Sequence, residues 1–249
     1  MMPQHRDTLL SARKAYSQCA NKVEQLITNN GLTAIHSSQI IGIGVATEWL
    51  RRASEMNNID YMGNILNKSK TNDLFIELLR FNFSWFALNA IFARQELLDL
   101  FGTPSSNSEY SKFNLLYNVD ILPNTASRLQ KLHQILNTPI ITRLPVASNN
   151  NPVVNNSVST LQAICLKYLP TSSQKGITAQ AIQTASQAGS ANSLDMPTLL
   201  YGFRNWSVHG NTLHGCFGSH PRFYEYVCIL QETLAEVHYN AAIYINSKL

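Results

Sequence analysis

Apolar positions recur with a helical period over most of the chain. Six apolar side chains at three- and four-residue steps mark the first segment: Leu9, Ala12, Tyr16, Cys19, Val23 and Leu26. Side chains at this spacing share one face of a helix. The pair Asn30-Gly31 follows directly and is a typical helix stop. The pattern therefore predicts a first amphipathic helix that ends near residue 30.

The same periodicity predicts eight further helical stretches, at about 38–56, 73–101, 113–117, 123–136, 159–168, 178–188, 196–209 and 223–247. Gly42 and Gly44 weaken the start of the second helix. Gly102, with Pro104 close behind, is expected to end the long helical run. The segment 139–157 is rich in proline and asparagine and predicts a surface loop. Sustained two-residue alternation is absent, so the pattern favours an all-α fold.

These helices fit one mainly helical bundle. Residues 1–70 form an N-terminal helical extension packed on the core in this interpretation, and residues 71–249 form the main helical domain. The two parts are expected to make one structural unit, since 249 residues can bury a sizeable core. No internal repeat is visible.

Composition and hydropathy indicate where the protein is located more than what it does. The chain has a formal net charge of +4, a mild basic bias that is compatible with a polyanionic partner but does not identify one. The first residues lack the apolar core of a signal peptide, and the most apolar stretch, 83–93, is too short to span a bilayer. Four cysteines form no CxxC pair, which favours free thiols. We therefore expect a cytoplasmic protein with no membrane partner.

The most informative segment for chemistry is 196–209. At 100° per residue, one side of this helix collects the presumed core side chains: Met196, Leu199, Leu200, Phe203, Trp206 and Ser207. Asn205 and His209 fall nearly opposite, in line with Tyr201, and Arg204 lies at the flank. A histidine away from the core face is unlike the usual buried histidine. The wheel thus predicts a polar face made of Tyr201, Arg204, Asn205 and His209.

The run Arg204-Asn205-Trp206-Ser207-Val208-His209 resembles the Arg-x4–6-His signature of HEPN domains (higher eukaryotes and prokaryotes nucleotide-binding). In that signature a polar residue such as asparagine commonly follows the arginine. A second segment, 81–92, resembles the aromatic-rich helix of the family through Trp85, Asn89 and Ala90. The resemblance covers the chain from about residue 73 to the C-terminus, and the first seventy residues match nothing in the family pattern.

The resemblance implies a metal-independent endoribonuclease with an HEPN-like helical bundle, no cofactor and no bound metal. His209 would act as general base or acid on the ribose 2′-hydroxyl. Arg204 would bind the scissile phosphate, and Asn205 would orient the phosphate or the imidazole. The motif occurs once in the chain, so the resemblance implies a homodimer with a composite active site. It further implies RNA as substrate and a role as a toxin or anti-phage effector, with an antitoxin or regulatory partner.

Three nearby residues, Tyr201, Asn211 and His214, are predicted to contact RNA at the rim of the site. Asn211 is also a departure from the family. Some relatives carry a tyrosine two residues after the histidine that a partner nucleotidyltransferase modifies, and this chain has asparagine there. The sequence therefore gives no support to regulation of that kind.

Three other interpretations use the same residues. A zinc site could be built from the cysteine and histidines of the glycine-rich stretch, but their spacing matches no standard finger; they are His209, His214, Cys216 and His220. The main rival is a non-catalytic HEPN-like module that binds RNA or a protein. The third is a helical scaffold in which Arg204 and His209 pair with acidic groups.

Trp85 and Asn89 are interpreted as structural residues.

Overall fold

The computed structural model describes residues 5–56, 69–119, 126–144, 156–160, 195–208 and 222–249, together with Gln162, 182–183 and 186–187. These residues form an all-α fold, as predicted. Eight helices lie in the long described stretches: α1 (His5–Asn30), α2 (Ala34–Glu55), α3 (Ser69–Phe92), α4 (Gln95–Leu98), α5 (Glu109–Asn118), α6 (Ala126–Asn137), α7 (Asp195–Val208) and α8 (Arg222–Lys248).

α1 follows the heptad pattern closely. Five of its six predicted apolar side chains are buried, and Leu9, Tyr16 and Val23 are each 0% exposed, while Leu26 is half-buried. The helix ends at Asn30, and Gly31 takes a φ of 82°, the left-handed conformation that glycine adopts most easily. The predicted stop at Asn30-Gly31 is therefore confirmed.

α2 begins four residues earlier than the sequence pattern indicates. Thr33 is its N-cap, and the Thr33 side chain accepts a hydrogen bond of 3.2 Å from the backbone N–H of His36. Gly42 lies inside the helix at a close contact, because a Cβ there would stand 2.7 Å from Leu97 Cδ1 and 2.8 Å from Arg94 Cγ. Gly42 therefore serves the packing of α2 rather than weakening its start.

The long helical run predicted over 73–101 is divided in two. α3 ends at Phe92 and the four-residue helix α4 begins at Gln95, with Arg94 in an extended conformation between them. The run still closes near Gly102, which has a φ of 116°. Apolar periodicity continues across the break because Leu97, Leu98 and Phe101 are all buried, so the sequence pattern alone does not reveal it.

The loop predicted over 139–157 contains β structure at both ends. β1 (Pro139–Leu144) pairs antiparallel with β2 (Asn156–Thr160), with Thr142 opposite Val158 and Leu144 opposite Asn156. The predicted helix start at Ser159 is also wrong, because β2 continues to Thr160. Residues 145–155 between the strands lie outside the described ranges.

The chain divides into two compact units, each drawn from separated stretches of sequence. The first unit comprises Met1–Asp60, Phe75–Pro123 and Leu230–Leu249, and the second comprises Tyr61–Leu74 and Asn124–Ile229. α1, α2, α4 and α5 belong to the first unit, and α6 and α7 to the second. The domain boundary near residue 70 stays a prediction from the sequence.

Buried polar side chains in the first unit join α1, α3 and α8. His238 is 0% exposed; its Nε2 donates to the carbonyl oxygen of Ser84 at 2.7 Å, and Tyr16 Oη lies 3.4 Å from its Nδ1. Gln231, also fully buried, donates from Nε2 to Ser84 Oγ at 3.2 Å. Burial lowers the pKa of His238 to about 4. His238 is therefore buried in its neutral form, as a structural residue of this core.

The buried imidazole predicts a loss of stability in acid. The pKa of a histidine in the unfolded chain is about 6.5, so between that pH and about 4 the unfolded chain takes up a proton that folded His238 does not. The free energy of unfolding is expected to fall by up to about 3 kcal/mol over this range. Urea titrations at several pH values measure how the free energy of unfolding changes with pH.

His238→Gln is expected to remove most of this acid dependence. Tyr16→Phe is the matched control, because it deletes the facing hydroxyl and leaves the imidazole in place. If the free energy of unfolding changes equally with pH in the wild type and in His238→Gln, the acid dependence does not come from His238.

One helix in the described ranges is long and apolar enough to cross a membrane by composition, Asp73–Phe92, with a mean hydropathy of 1.2. Inside the fold 61% of that segment is buried. It also carries Glu77 and Arg80, which pair with each other at 2.6 Å. A buried core helix passes the same test of composition, so this segment is weak evidence for a membrane span.

Candidate active site

The candidate site lies on α7, in the second unit. The helix begins at Asp195, so Pro197 falls in its first turn, where a missing backbone N–H is tolerated. Four of the predicted core side chains are at most 2% exposed: Met196, Leu199, Leu200 and Phe203. Phe203 meets Tyr226 of α8 edge to face, with 5.8 Å between ring centroids. These apolar contacts fix the rotation of α7 about its axis.

Arg204 and Asn205 are joined by a side-chain hydrogen bond. Arg204 Nη1 donates to Asn205 Oδ1 at 2.9 Å. Asn205 is 0% exposed, and Arg204 is half-buried. The helix therefore holds the guanidinium through the buried amide of the next residue, which restricts the directions in which the remaining donors of Arg204 can point.

The expected position of Asn205 opposite the core is wrong. Gly202 and Pro197 are buried as well, although neither belongs to the predicted core face. Buried positions thus surround most of the circumference of α7, whereas the wheel assumes a single buried face. Tyr201 and Arg204 are the two half-buried members of the predicted polar face. Among the described side chains of α7, only Val208 is more than one third exposed.

The Asn205 amide carries an unusual polar feature. Its Nδ2 is buried and has no hydrogen-bond partner among the described residues. Leaving a buried donor unsatisfied costs roughly 1–3 kcal/mol, so a water molecule or another polar group is expected to meet it. The donor lies on the residue that holds Arg204, which ties it to the same site.

Three residues of the predicted site, His209, Asn211 and His214, lie outside the described residues. The same is true of the zinc alternative, since Cys216 and His220 fall in the same stretch. Within the ranges that the structure describes, no group of three histidine, cysteine or acidic side chains could hold a metal ion. Of the predicted site residues, the structure brings together Arg204 and Asn205, with Tyr201 on the same helix.

The second segment with family resemblance has a structural role, as predicted for Trp85. Trp85 is 1% exposed, packs against Phe113 and donates from Nε1 to Glu109 Oε1 at 2.6 Å. Asn89 is half-buried at the edge of a shallow pocket of about 270 Å³. Both residues belong to the first unit. Trp85 gives α3 its contact with α5.

Two of the four cysteines are described, and both are free thiols. Cys19 is buried on α1, and its Sγ donates to the carbonyl oxygen of Ala242 at 3.1 Å. Burial raises the pKa of the Cys19 thiol to about 11. A thiol held protonated in this way is a poor nucleophile, so Cys19 serves the packing of α1 on α8.

Comparison with known proteins adds no relative to this picture. No protein-family model, no curated protein and no solved structure matches the chain.

Proposed function

We propose that the protein is a metal-independent endoribonuclease of the HEPN type, with its active site at the C-terminal end of α7. The observation that carries the proposal is the hydrogen bond between Arg204 and the fully buried Asn205. A buried amide that restricts a half-buried guanidinium supports a pre-oriented phosphate site. The resemblance of 204–209 to the Arg-x4–6-His signature supplies the chemistry.

In the proposed reaction the ribose 2′-oxygen attacks the adjacent phosphorus and the bond to the 5′-oxygen breaks. His209 accepts the proton of the 2′-hydroxyl or protonates the leaving 5′-oxygen, and two copies of the chain in one cleft fill both roles. Arg204 binds the phosphate and stabilises the charge that develops on its oxygens. The products carry a 2′,3′-cyclic phosphate and a free 5′-hydroxyl.

Asn205 has a narrower role in this proposal than the sequence indicates. Because its side chain is fully buried, it is a positioning residue for Arg204 rather than a ligand of the phosphate. In this proposal its Nδ2, which has no partner among the described residues, orients a second polar group of the site. His209 stands four residues later in the sequence, which is the helical spacing of side chains that share a face.

The experiment is incubation of the full chain with mixed RNA in excess chelator. We expect cleavage, with 2′,3′-cyclic phosphate termini identified by mass spectrometry of the fragments. The matched control uses two oligonucleotides of one sequence, one with ribose and one with 2′-deoxyribose throughout; the second lacks the attacking hydroxyl and should stay intact. Cleavage of both substrates would contradict the 2′-hydroxyl mechanism, and cleavage of neither would contradict the nuclease.

The second candidate is an RNA-binding module without cleavage, retained because the Arg204–Asn205 hydrogen bond would serve phosphate binding whether or not a reaction follows. RNA retardation in a gel without any new termini would favour it. The proposed biological role, a toxin or anti-phage effector with an antitoxin partner, rests on the family resemblance alone.

A further inference from the structure

A small pocket lies in the first unit, at the end of α3. It has a volume of about 270 Å³ and is lined by six residues: Asn89, Phe92, Ala93, Asn107, Glu109 and Lys112. Phe92 is the last residue of α3, and Glu109 is the first residue of α5. Pockets that hold drug-sized ligands span about 300–1,000 Å³, so this pocket fits a smaller molecule.

Three polar side chains of this pocket have no partner within the part of the chain that the structure describes. The side-chain amides of Asn89 and Asn107 and the ammonium group of Lys112 make no hydrogen bond or ion pair there. Asn89 and Lys112 are half-buried, and Asn107 is exposed. An amide both donates and accepts hydrogen bonds, and an ammonium group donates three. The pocket therefore offers polar groups of three side chains to a ligand.

The fold holds two other side chains of the pocket in place. The carboxylate of Glu109 accepts a hydrogen bond of 2.6 Å from Nε1 of Trp85, which is itself 1% exposed. Phe92 is 4% exposed and gives the pocket an apolar wall. Side chains that are fixed before a ligand arrives lose little conformational entropy when it binds.

Serine side chains hold the loop that carries Asn107. Ser111 Oγ accepts a hydrogen bond of 3.0 Å from the backbone N–H of Ser106, and Ser108 Oγ accepts one of 3.1 Å from the backbone N–H of Ser111. Ser108 thereby caps the first turn of α5. Asn107 stands between Ser106 and Ser108, so these bonds restrict where its amide can lie at the rim of the pocket.

The charges of the pocket select the class of ligand. Lys112 forms no ion pair with Glu109, which stands three residues before it on α5. A ligand with negative charge alone would be repelled by Glu109, and a ligand with positive charge alone would be repelled by Lys112. A small molecule that carries both charges close together is attracted by both side chains.

We propose that this pocket binds a free α-amino acid. The carboxylate of the ligand pairs with Lys112, and its ammonium group pairs with Glu109. The amides of Asn89 and Asn107 bind its remaining polar atoms, and Phe92 contacts its carbon atoms. Residues of the first unit alone form this site, so it does not depend on the proposed nuclease, whose α7 belongs to the second unit.

The test is isothermal titration calorimetry of the full chain with each of the common protein amino acids. We expect at least one to bind with a Kd of about 0.1–1 mM, as suits so small a ligand. Lys112→Gln and Glu109→Gln should each weaken its binding about tenfold or more, and glutamine at 109 keeps an acceptor for Trp85. The matched control is Lys14→Gln, which removes the same charge from an exposed residue of α1 outside the pocket and should leave the Kd unchanged. Circular dichroism confirms that each variant is folded.

Two blocked derivatives of the bound amino acid provide a second readout that needs no variant. The N-acetyl form lacks the ammonium group and the amide form lacks the carboxylate, so each should bind about tenfold more weakly or worse. Absence of binding by every amino acid, equal effects of Lys112→Gln and Lys14→Gln, or unweakened binding of a blocked derivative would each overturn the proposal. RNA enters none of these measurements, so the pocket and the nuclease fail separately.

Discussion

Arg204→Ala and His209→Ala should each reduce RNA cleavage by at least about a hundredfold. Loss of one preorganised donor to a developing anion typically slows a reaction by about 10²–10³, and loss of a general acid or base by about 10²–10⁴. Arg204→Lys keeps the charge but not the planar fork that Asn205 holds, so it should recover only a small part of the rate. The measurement is the single-turnover rate on a labelled RNA oligonucleotide.

The control for this series is Arg222→Ala. Arg222 lies at the start of α8, is half-buried and pairs with the exposed Glu225 at 2.6 Å, so its removal should leave the rate within about twofold, as surface pairs contribute little. Wild-type activity in Arg204→Ala, with a normal circular dichroism spectrum, would show that Arg204 of α7 takes no part in the reaction.

Arg80→Ala should lower the free energy of unfolding by about 3–5 kcal/mol. Arg80 and Glu77 have side chains that are 5% and 2% exposed and are paired at 2.6 Å. Arg80 also donates from Nε to the carbonyl oxygen of Ala53 and from Nη2 to that of Met56, at 3.2 and 2.6 Å. It thus satisfies backbone acceptors at the end of α2, where no further helical turn can do so. Urea denaturation of the purified variants measures the change.

Arg51→Ala gives the matched comparison for this prediction. Arg51 is also paired with glutamates, Glu48 and Glu55, but its side chain is 40% exposed. Its loss should cost less than about 1 kcal/mol. If Arg80→Ala is too unstable to purify, Glu77→Gln tests the same contact, because the neutral amide weakens the pair and leaves the carbonyl contacts of Arg80 in place. Equal effects for Arg51→Ala and Arg80→Ala would contradict the assigned importance of burial.

Apolar periodicity predicts the helices well where one face is buried. α8 begins and ends within one residue of its predicted bounds, and α1 ends at the predicted stop, because their apolar faces recur without interruption. The start of α2 was missed, although Thr33 carries the signal of an N-cap in the sequence. The ribbon of β1 and β2 was missed for a different reason. Its pairing joins residues that are twelve or more positions apart, and no local pattern records such a contact.

For the candidate site, the sequence indicates which residues to inspect but not how they are arranged. The motif singles out Arg204 and Asn205, and the structure joins them. The burial of Asn205 could not be predicted, because a helical wheel describes one element and burial depends on every element around it. His238 carried no motif at all, and only its long-range contacts with Tyr16 and Ser84 distinguish it from an exposed histidine.

The contacts between α1 and α8 set a condition on when the protein can fold. Tyr16, Cys19 and Lys22 meet His238, Ala242 and Asn246, which follow them by 222 to 224 positions. At about 5–20 residues per second of synthesis, the first helix waits roughly 10–45 s for these partners. During that time the part of α1 that contacts α8 in the fold has no partner from α8. Newly made chains should therefore depend on chaperones until α8 has been synthesised, and variants in which the second half of α8 is deleted should aggregate.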